Sequence, residues 1–193
     1  MKKHHQVQQR ILETAQALFS RFGFKKTTMD DIARAVFRAK SSLYHYFRNK
    51  EEIYRAVVER EGRAVKEEIR RAIARADSPV AKLEAYVKTR MLALHRLANF
   101  YQAFREEYLE SYSFIQKLRQ DYDRYEVETV KGILAEGVAS GVFSVRDLNL
   151  TAVAIITAMK GFEYPWAVAT DIAKVEQDID ALMHVLFFGI TKR

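Results

Sequence analysis

Apolar residues recur three and four positions apart through almost every long segment of this chain, and only two prolines stand among its 193 residues to interrupt them. A chain patterned in this way buries its apolar side chains by forming amphipathic helices and packing them on one another. Seven glycines and plentiful Ala, Leu, Glu, Lys and Arg agree with an all-α fold, and the periodic segments divide into about nine helices. Hydrophobic residues make up 49% of the chain, enough for a substantial core. Without cysteine there is neither a disulfide framework nor a thiolate metal site. The first ten residues, MKKHHQVQQR, lack the apolar core of a signal peptide, and no apolar run reaches the roughly 18 residues of a membrane span. A soluble cytoplasmic protein with no membrane partner is the expectation.

The helices are expected as follows. The first runs from Val7 to Phe22 on a stripe of Ile11, Leu12, Ala15, Leu18, Phe19 and Phe22, and Gly23 closes it. Thr28 caps a second helix, with Asp31 in the place of a capping-box acid and Ile32, Ala33 and Val36 on its buried side. A turn over Phe37 to Ala39 leads into a short third helix. Asn49 caps a long fourth helix with Glu51 and Glu52 in its first turn and Ile53, Val57, Ala64, Ile69 and Ile73 along its stripe. Ser78-Pro79 starts a fifth, a sixth lies over Phe100 to Tyr108, and a seventh runs from Tyr112 to Ala139. Ser144-x-x-Asp147 reads as a capping box for an apolar eighth helix that Pro165 bends or ends. The ninth runs from Asp171 to Gly189 on Ile172, Val175, Ile179, Leu182, Met183, Leu186 and Phe187.

Charge divides this series unevenly. Residues 1–50 hold 11 Lys/Arg against three acids, whereas the rest of the chain, with 21 basic and 22 acidic residues, is nearly neutral. A local excess of +8 in a chain of net charge +7 points to a polyanion for the N-terminal quarter, because neutralising phosphates supplies most non-specific affinity for nucleic acid. The basic residues are spread over several short helices, which disfavours an anionic membrane as that partner.

Thr27 to Lys50 has the pattern of two short helices joined by a tight turn, the second helix basic and rich in hydroxyls. Leu43 and Phe47 stand at i and i+4 and share a buried face, which turns Lys40 and Tyr44, another such pair, outward. Ser41 and Ser42 are small enough to let backbone N–H groups approach phosphate, and His45 adds a base or phosphate contact. This segment resembles the N-terminal domain of the TetR family of one-component transcriptional regulators. The family pattern of Thr-Thr, Asp-Ile-Ala, a turn, Lys-Gly-Ser/Thr-Leu-Tyr-x-x-Phe and Lys-Glu-Glu has its counterparts in Thr27-Thr28, Asp31-Ile32-Ala33, Lys40 to Phe47 and Lys50-Glu51-Glu52. The resemblance implies DNA contacts from Thr28, Lys40, Ser41, Ser42, Tyr44, His45 and Lys50, and Arg38 is a further candidate for phosphate. One departure bears on geometry. Phe37 stands where the family has a glycine, so either the second helix runs on or the turn is strained.

By the same resemblance, residues 1–53 form a three-helix helix-turn-helix domain and residues 54–193 a helical domain for effector binding and dimerisation. Nine of the chain's 23 aromatics fall between Tyr86 and Tyr125, and Tyr86, Phe104, Tyr108 and Tyr125 with Met159 and Phe162 are candidate walls of a pocket for a small apolar or aromatic effector. The last two helices carry enough apolar surface to pair with a second subunit, and a two-fold dimer suits a palindromic DNA site. A helical-bundle enzyme or metal protein is the alternative, as is a non-specific DNA binder. The five histidines form no His-x-x-x-His or Glu-x-x-His pair, and no phosphate-binding glycine loop or nucleophile elbow is present. No catalytic residue, metal or cofactor is expected.

Overall fold

A computed structural model describes residues 2–97, 99, 112–167 and 172–189, and all regular structure among them is helical. In chain order the helices are α1 (Lys2–Lys26), α2 (Met29–Ala35), α3 (Lys40–Tyr44), α4 (Lys50–Arg75), α5 (Pro79–Arg96), α6 (Ser113–Ala139), α7 (Leu148–Ala167) and α8 (Ile172–Phe188). The helix expected over Phe100 to Tyr108 lies outside the described residues. Contacts gather into two compact units, one of Met1–Ala64 with Leu97–Arg119 and one of Val65–Arg96 with Gln120–Arg193, so α4 passes from the first into the second.

In the first unit α1 packs on α2 and α2 on α3, and Ile11, Leu12, Ala15 and Phe19 of α1, Ile32, Ala33 and Val36 of the α2 segment and Leu43 and Phe47 around α3 are all buried. The helical path is broken at Gly23, whose φ of 78° and ψ of 161° redirect the chain. Phe24, beyond the break, is buried, while Phe22, expected on the buried stripe, is 47% exposed. From α4, Ile53, Tyr54, Val57 and Val58 complete this core, with the Phe19, Phe24 and Tyr54 rings in mutual contact. Buried polar groups are matched as well. Asn99 Nδ2 donates to Ser20 Oγ and to Glu61 Oε1, each at 2.8 Å, and Gln16 Nε2 donates to the same Glu61 oxygen at 2.7 Å.

In the second unit α5 packs on α7 and α8. Leu83, Tyr86, Val87 and Met91 of α5, Ala152, Ile155, Ile156 and Met159 of α7, and Val175, Ile179 and Met183 of α8 are all buried. Val65 and Ile69 of α4 are buried too, while Ala64, expected on that stripe, is exposed. Within this apolar layer Arg90 pairs with Glu126 of α6, both with almost no exposure, and Tyr86 Oη donates to Glu126 Oε1 at 3.1 Å.

Two helix-boundary expectations are corrected. The cap of α7 is Asp147, whose Oδ1 accepts from Leu150 N at 2.9 Å, and not Ser144, because the chain between them is not helical. Pro165 does not end α7, which continues to Ala167. The ring forbids one backbone hydrogen bond but leaves the next residues free to keep helical dihedrals.

Candidate nucleic-acid interface

Three consecutive devices hold α2, the turn and α3 in place. Thr28 Oγ1 accepts from Asp31 N at 3.2 Å while Thr28 N donates to Asp31 Oδ2 at 3.0 Å, the reciprocal pair of a capping box. The Asp31 carboxyl sits below its ordinary range, first through the Thr28 hydroxyl, then through the Thr28 N–H and Arg34. At the other end of α2, Arg38 N donates to Ala33 O at 3.0 Å and Phe37 N to Arg34 O at 3.1 Å. These are the two bonds of a Schellman motif, and they place Phe37 at the position that takes left-handed dihedrals. Its φ is 56°, the one positive φ outside glycine among the described residues. Of the two readings of this turn, the strained one holds.

The five residues of α3 follow at once, with Ala39 at the cap and no side-chain cap bond. Ser42 N donates to Ala39 O at 2.9 Å and Phe47 N to Leu43 O at 3.0 Å, which continues the helical course past Tyr44. Leu43 and Phe47 are buried. Lys40, Ser41, Tyr44 and His45 are exposed, Ser42 is half-buried, and Arg38 and Thr28 are exposed beside them. The i, i+4 division into an inner and an outer face is therefore realised, with Leu43 and Phe47 inward and Lys40 and Tyr44 outward.

Lys50, the remaining candidate DNA contact, is placed differently. Its Nζ donates to Phe24 O at 2.8 Å and stands 4.3 Å from the Phe24 ring centroid, so it holds the end of α1. Partial burial lowers its pKa from the ordinary lysine value. An ammonium has three protons, and two remain for other acceptors.

Several features here had no signal in the sequence. Lys40 Nζ rests 2.7 Å from Asp30 Oδ2, and this bond raises the lysine's pKa. His4 lies against Tyr46 with ring centroids 4.6 Å apart, bringing the start of α1 beside α3. A shallow cleft of about 220 Å3 is lined by Gln6, Val7, Arg10, Ile11, Val36 and Arg38, which sets the Arg10 and Arg38 side chains around one recess. Each contact joins residues that are distant in sequence or lie on different helices, where spacing rules do not reach.

Two family models match this arrangement. One described as "Bacterial regulatory proteins, tetR family" covers residues 11–57, and one described as "Tetracyclin repressor-like, C-terminal domain" covers residues 76–166. The chain belongs to the TetR family. As a TetR-family protein it is a ligand-responsive, DNA-binding transcriptional regulator with an all-α fold. The family is one of regulators and not of enzymes. It is similar to the uncharacterized HTH-type transcriptional regulator YhgD of Bacillus subtilis, at 25% identity over 160 residues, or 81% of this chain and 82% of the relative. It is also 50% identical over 50 residues to IcaR of Staphylococcus epidermidis, a negative transcriptional regulator of a biofilm operon, but that match spans only 26% of this chain and 27% of the relative. Among solved structures, a TetR/AcrR-family regulator from Thermobifida fusca superposes with a TM-score of 0.79 at 21% identity, covering 96% of this chain and 98% of that one.

The candidate effector residues of this TetR-family chain differ in burial. Tyr86 is buried and bonded to Glu126, and Met159 is buried on α7. Tyr125 is half-buried, its Oη donating to Lys66 O at 3.3 Å, and Phe162 is exposed. Phe104 and Tyr108 lie outside the described residues. A larger groove of about 560 Å3 lies in the first unit, lined by Leu18, Phe22, Lys26, Thr27, Asp31, Arg34 and Ala35. Among the described residues no group of His, Asp or Glu is placed to hold a metal ion, and no helix is long and apolar enough to cross a membrane.

Proposed function

We propose that the chain is a cytoplasmic repressor that reads a palindromic operator as a homodimer and leaves it when a small apolar or aromatic effector binds. Residues 1–53 form the reading head and residues 54–193 the effector and dimer domain. The observation that supports the reading head is the two-sided α3, with Leu43 and Phe47 packed inward and Lys40 and Tyr44 presented outward. In a helix-turn-helix the N-terminal part of the second helix meets base edges in the major groove while the first helix crosses the backbone. Lys40, Tyr44 and His45 then contact bases. Thr28, Arg38, Ser41, Ser42 and Lys50 contact phosphate.

Dimerisation uses the outer faces of α7 and α8, where Leu150 (65%), Val153 (40%), Val185 (49%) and Phe188 (63%) are exposed apolar side chains. A two-fold dimer sets two reading heads about 34 Å apart, one turn of the duplex. Effector binding favours a conformation whose heads no longer match that spacing, and affinity falls by the difference in effector affinity between the two states. Tyr86, Tyr125, Met159 and Phe162, with Phe104 and Tyr108, supply the walls of the effector site.

Lys40→Ala or Tyr44→Ala is expected to cost about 1–3 kcal/mol of operator binding per lost contact and to leave dimerisation intact. Unchanged affinity in a mobility-shift titration at fixed salt sinks the assignment.

A further inference from the structure

Phe37 carries two costs. It holds φ at 56°, in the region where a side chain crowds its own backbone, and its surface is 86% exposed. The same chain shows the inexpensive solution elsewhere. At the end of α6 an equivalent pair of bonds, Val142 N to Gly137 O at 2.8 Å and Gly141 N to Val138 O at 3.1 Å, closes a Schellman motif with Gly141 at φ 72°. The turn before α3 places an aromatic ring in that glycine slot, and among the described residues the ring has no aromatic or cationic partner.

The surroundings select what covers it. Phe37 stands between exposed Arg34, Arg38 and Lys40 in a segment whose first 50 residues carry 11 basic side chains against three acids. A lipid tail or an apolar protein groove gains nothing from such a rim, whereas a polyanion does. On duplex DNA the apolar groups presented in the major groove are the C5-methyls of thymine, which phenylalanine is among the side chains to contact. Because the turn is contiguous with the N-terminal end of α3, the end that faces base edges, the ring projects beside that groove.

We infer that Phe37 is a specificity-determining residue that reads a thymine methyl next to the bases contacted from α3. This rests on the operator-reading role of α3 and adds to it a position in each half-site. The left-handed turn fixes the backbone that carries the ring before DNA arrives, so little backbone freedom is lost on contact.

The test uses the full-length chain and a duplex it selects from a random pool. Each thymidine of that duplex is replaced in turn by deoxyuridine, which removes only the methyl, and binding is followed by fluorescence anisotropy at fixed salt. Wild type is expected to lose about fourfold in affinity per methyl at one position in each half-site, the effect of withdrawing one buried methyl-sized group. Phe37→Gly and Phe37→Asn, both at ease with a positive φ, are expected to keep their helical circular dichroism and to bind the two duplexes equally at that position. Deoxyuridine effects that are the same in variants and wild type, or no effect at any thymine, overturn the contact. A pool that yields no preferred sequence overturns operator reading by α3 itself, and this contact with it.

Discussion

In the free protein the Lys40 ammonium rests 2.7 Å from the Asp30 carboxylate, with both side chains about half exposed. Under the proposed reading, docking on DNA exchanges the Asp30 carboxylate for a base edge at this lysine. An exposed pair of this kind is worth at most about 1 kcal/mol, so Asp30 tempers the reading head without blocking it. Replacing Asp30→Asn releases Lys40 and removes a negative charge near phosphate. Affinity for any duplex, specific or not, is expected to rise about two- to fivefold, with the salt dependence steeper by about one ion. Anisotropy titrations over a range of salt concentrations check this, and an unchanged slope refutes it. The residue types at this site, Lys40, Ser41, Tyr44 and their neighbours, were legible from i, i+4 spacing. The partner of Lys40 was not, since Asp30 lies ten residues away on another helix.

At the scale of single helices, caps and periodicity were read well where the physics is local. Thr28 with Asp31 forms the expected capping box, Asn49 Oδ1 accepts from Glu52 N at 2.8 Å at the start of α4, and Ser78 Oγ accepts from Ala81 N at 3.2 Å at the start of α5. Misreadings arose where tertiary packing decides, as in the exposure of Phe22 and the choice of Asp147 over Ser144. The pairing of α5 with α6 through Arg90 and Glu126 depends likewise on which helices meet. A fully buried guanidinium that loses its carboxylate is uncompensated in a low-dielectric interior. Glu126→Ala is expected to destabilise the protein by about 3–5 kcal/mol, while Arg90→Met combined with Glu126→Leu recovers most of that loss. Urea unfolding followed by circular dichroism distinguishes the two, and equal midpoints for single and double variants would show that the pair is not the cause.

For the whole molecule, the functional expectation is that two reading heads act together. Under the proposed pairing through the exposed apolar side chains of α7 and α8, Val153→Glu with Val185→Glu is expected to convert a dimer into a monomer in sedimentation equilibrium. Operator affinity should fall about a hundredfold or more, because the second half-site is no longer held at high effective concentration. Dimeric mass in the double variant would place the interface elsewhere. The sequence by itself determined the helical class, the basic reading segment and which face of α3 points inward, because periodicity, capping and charge act within a few residues. Only the tertiary structure decided that Phe37 takes the left-handed position of a Schellman turn, that Lys40 is paired to Asp30, and that Asn99 bonds to Ser20 and Glu61. These are set by which helices meet, and contacts between residues far apart in the chain leave no periodic trace in it.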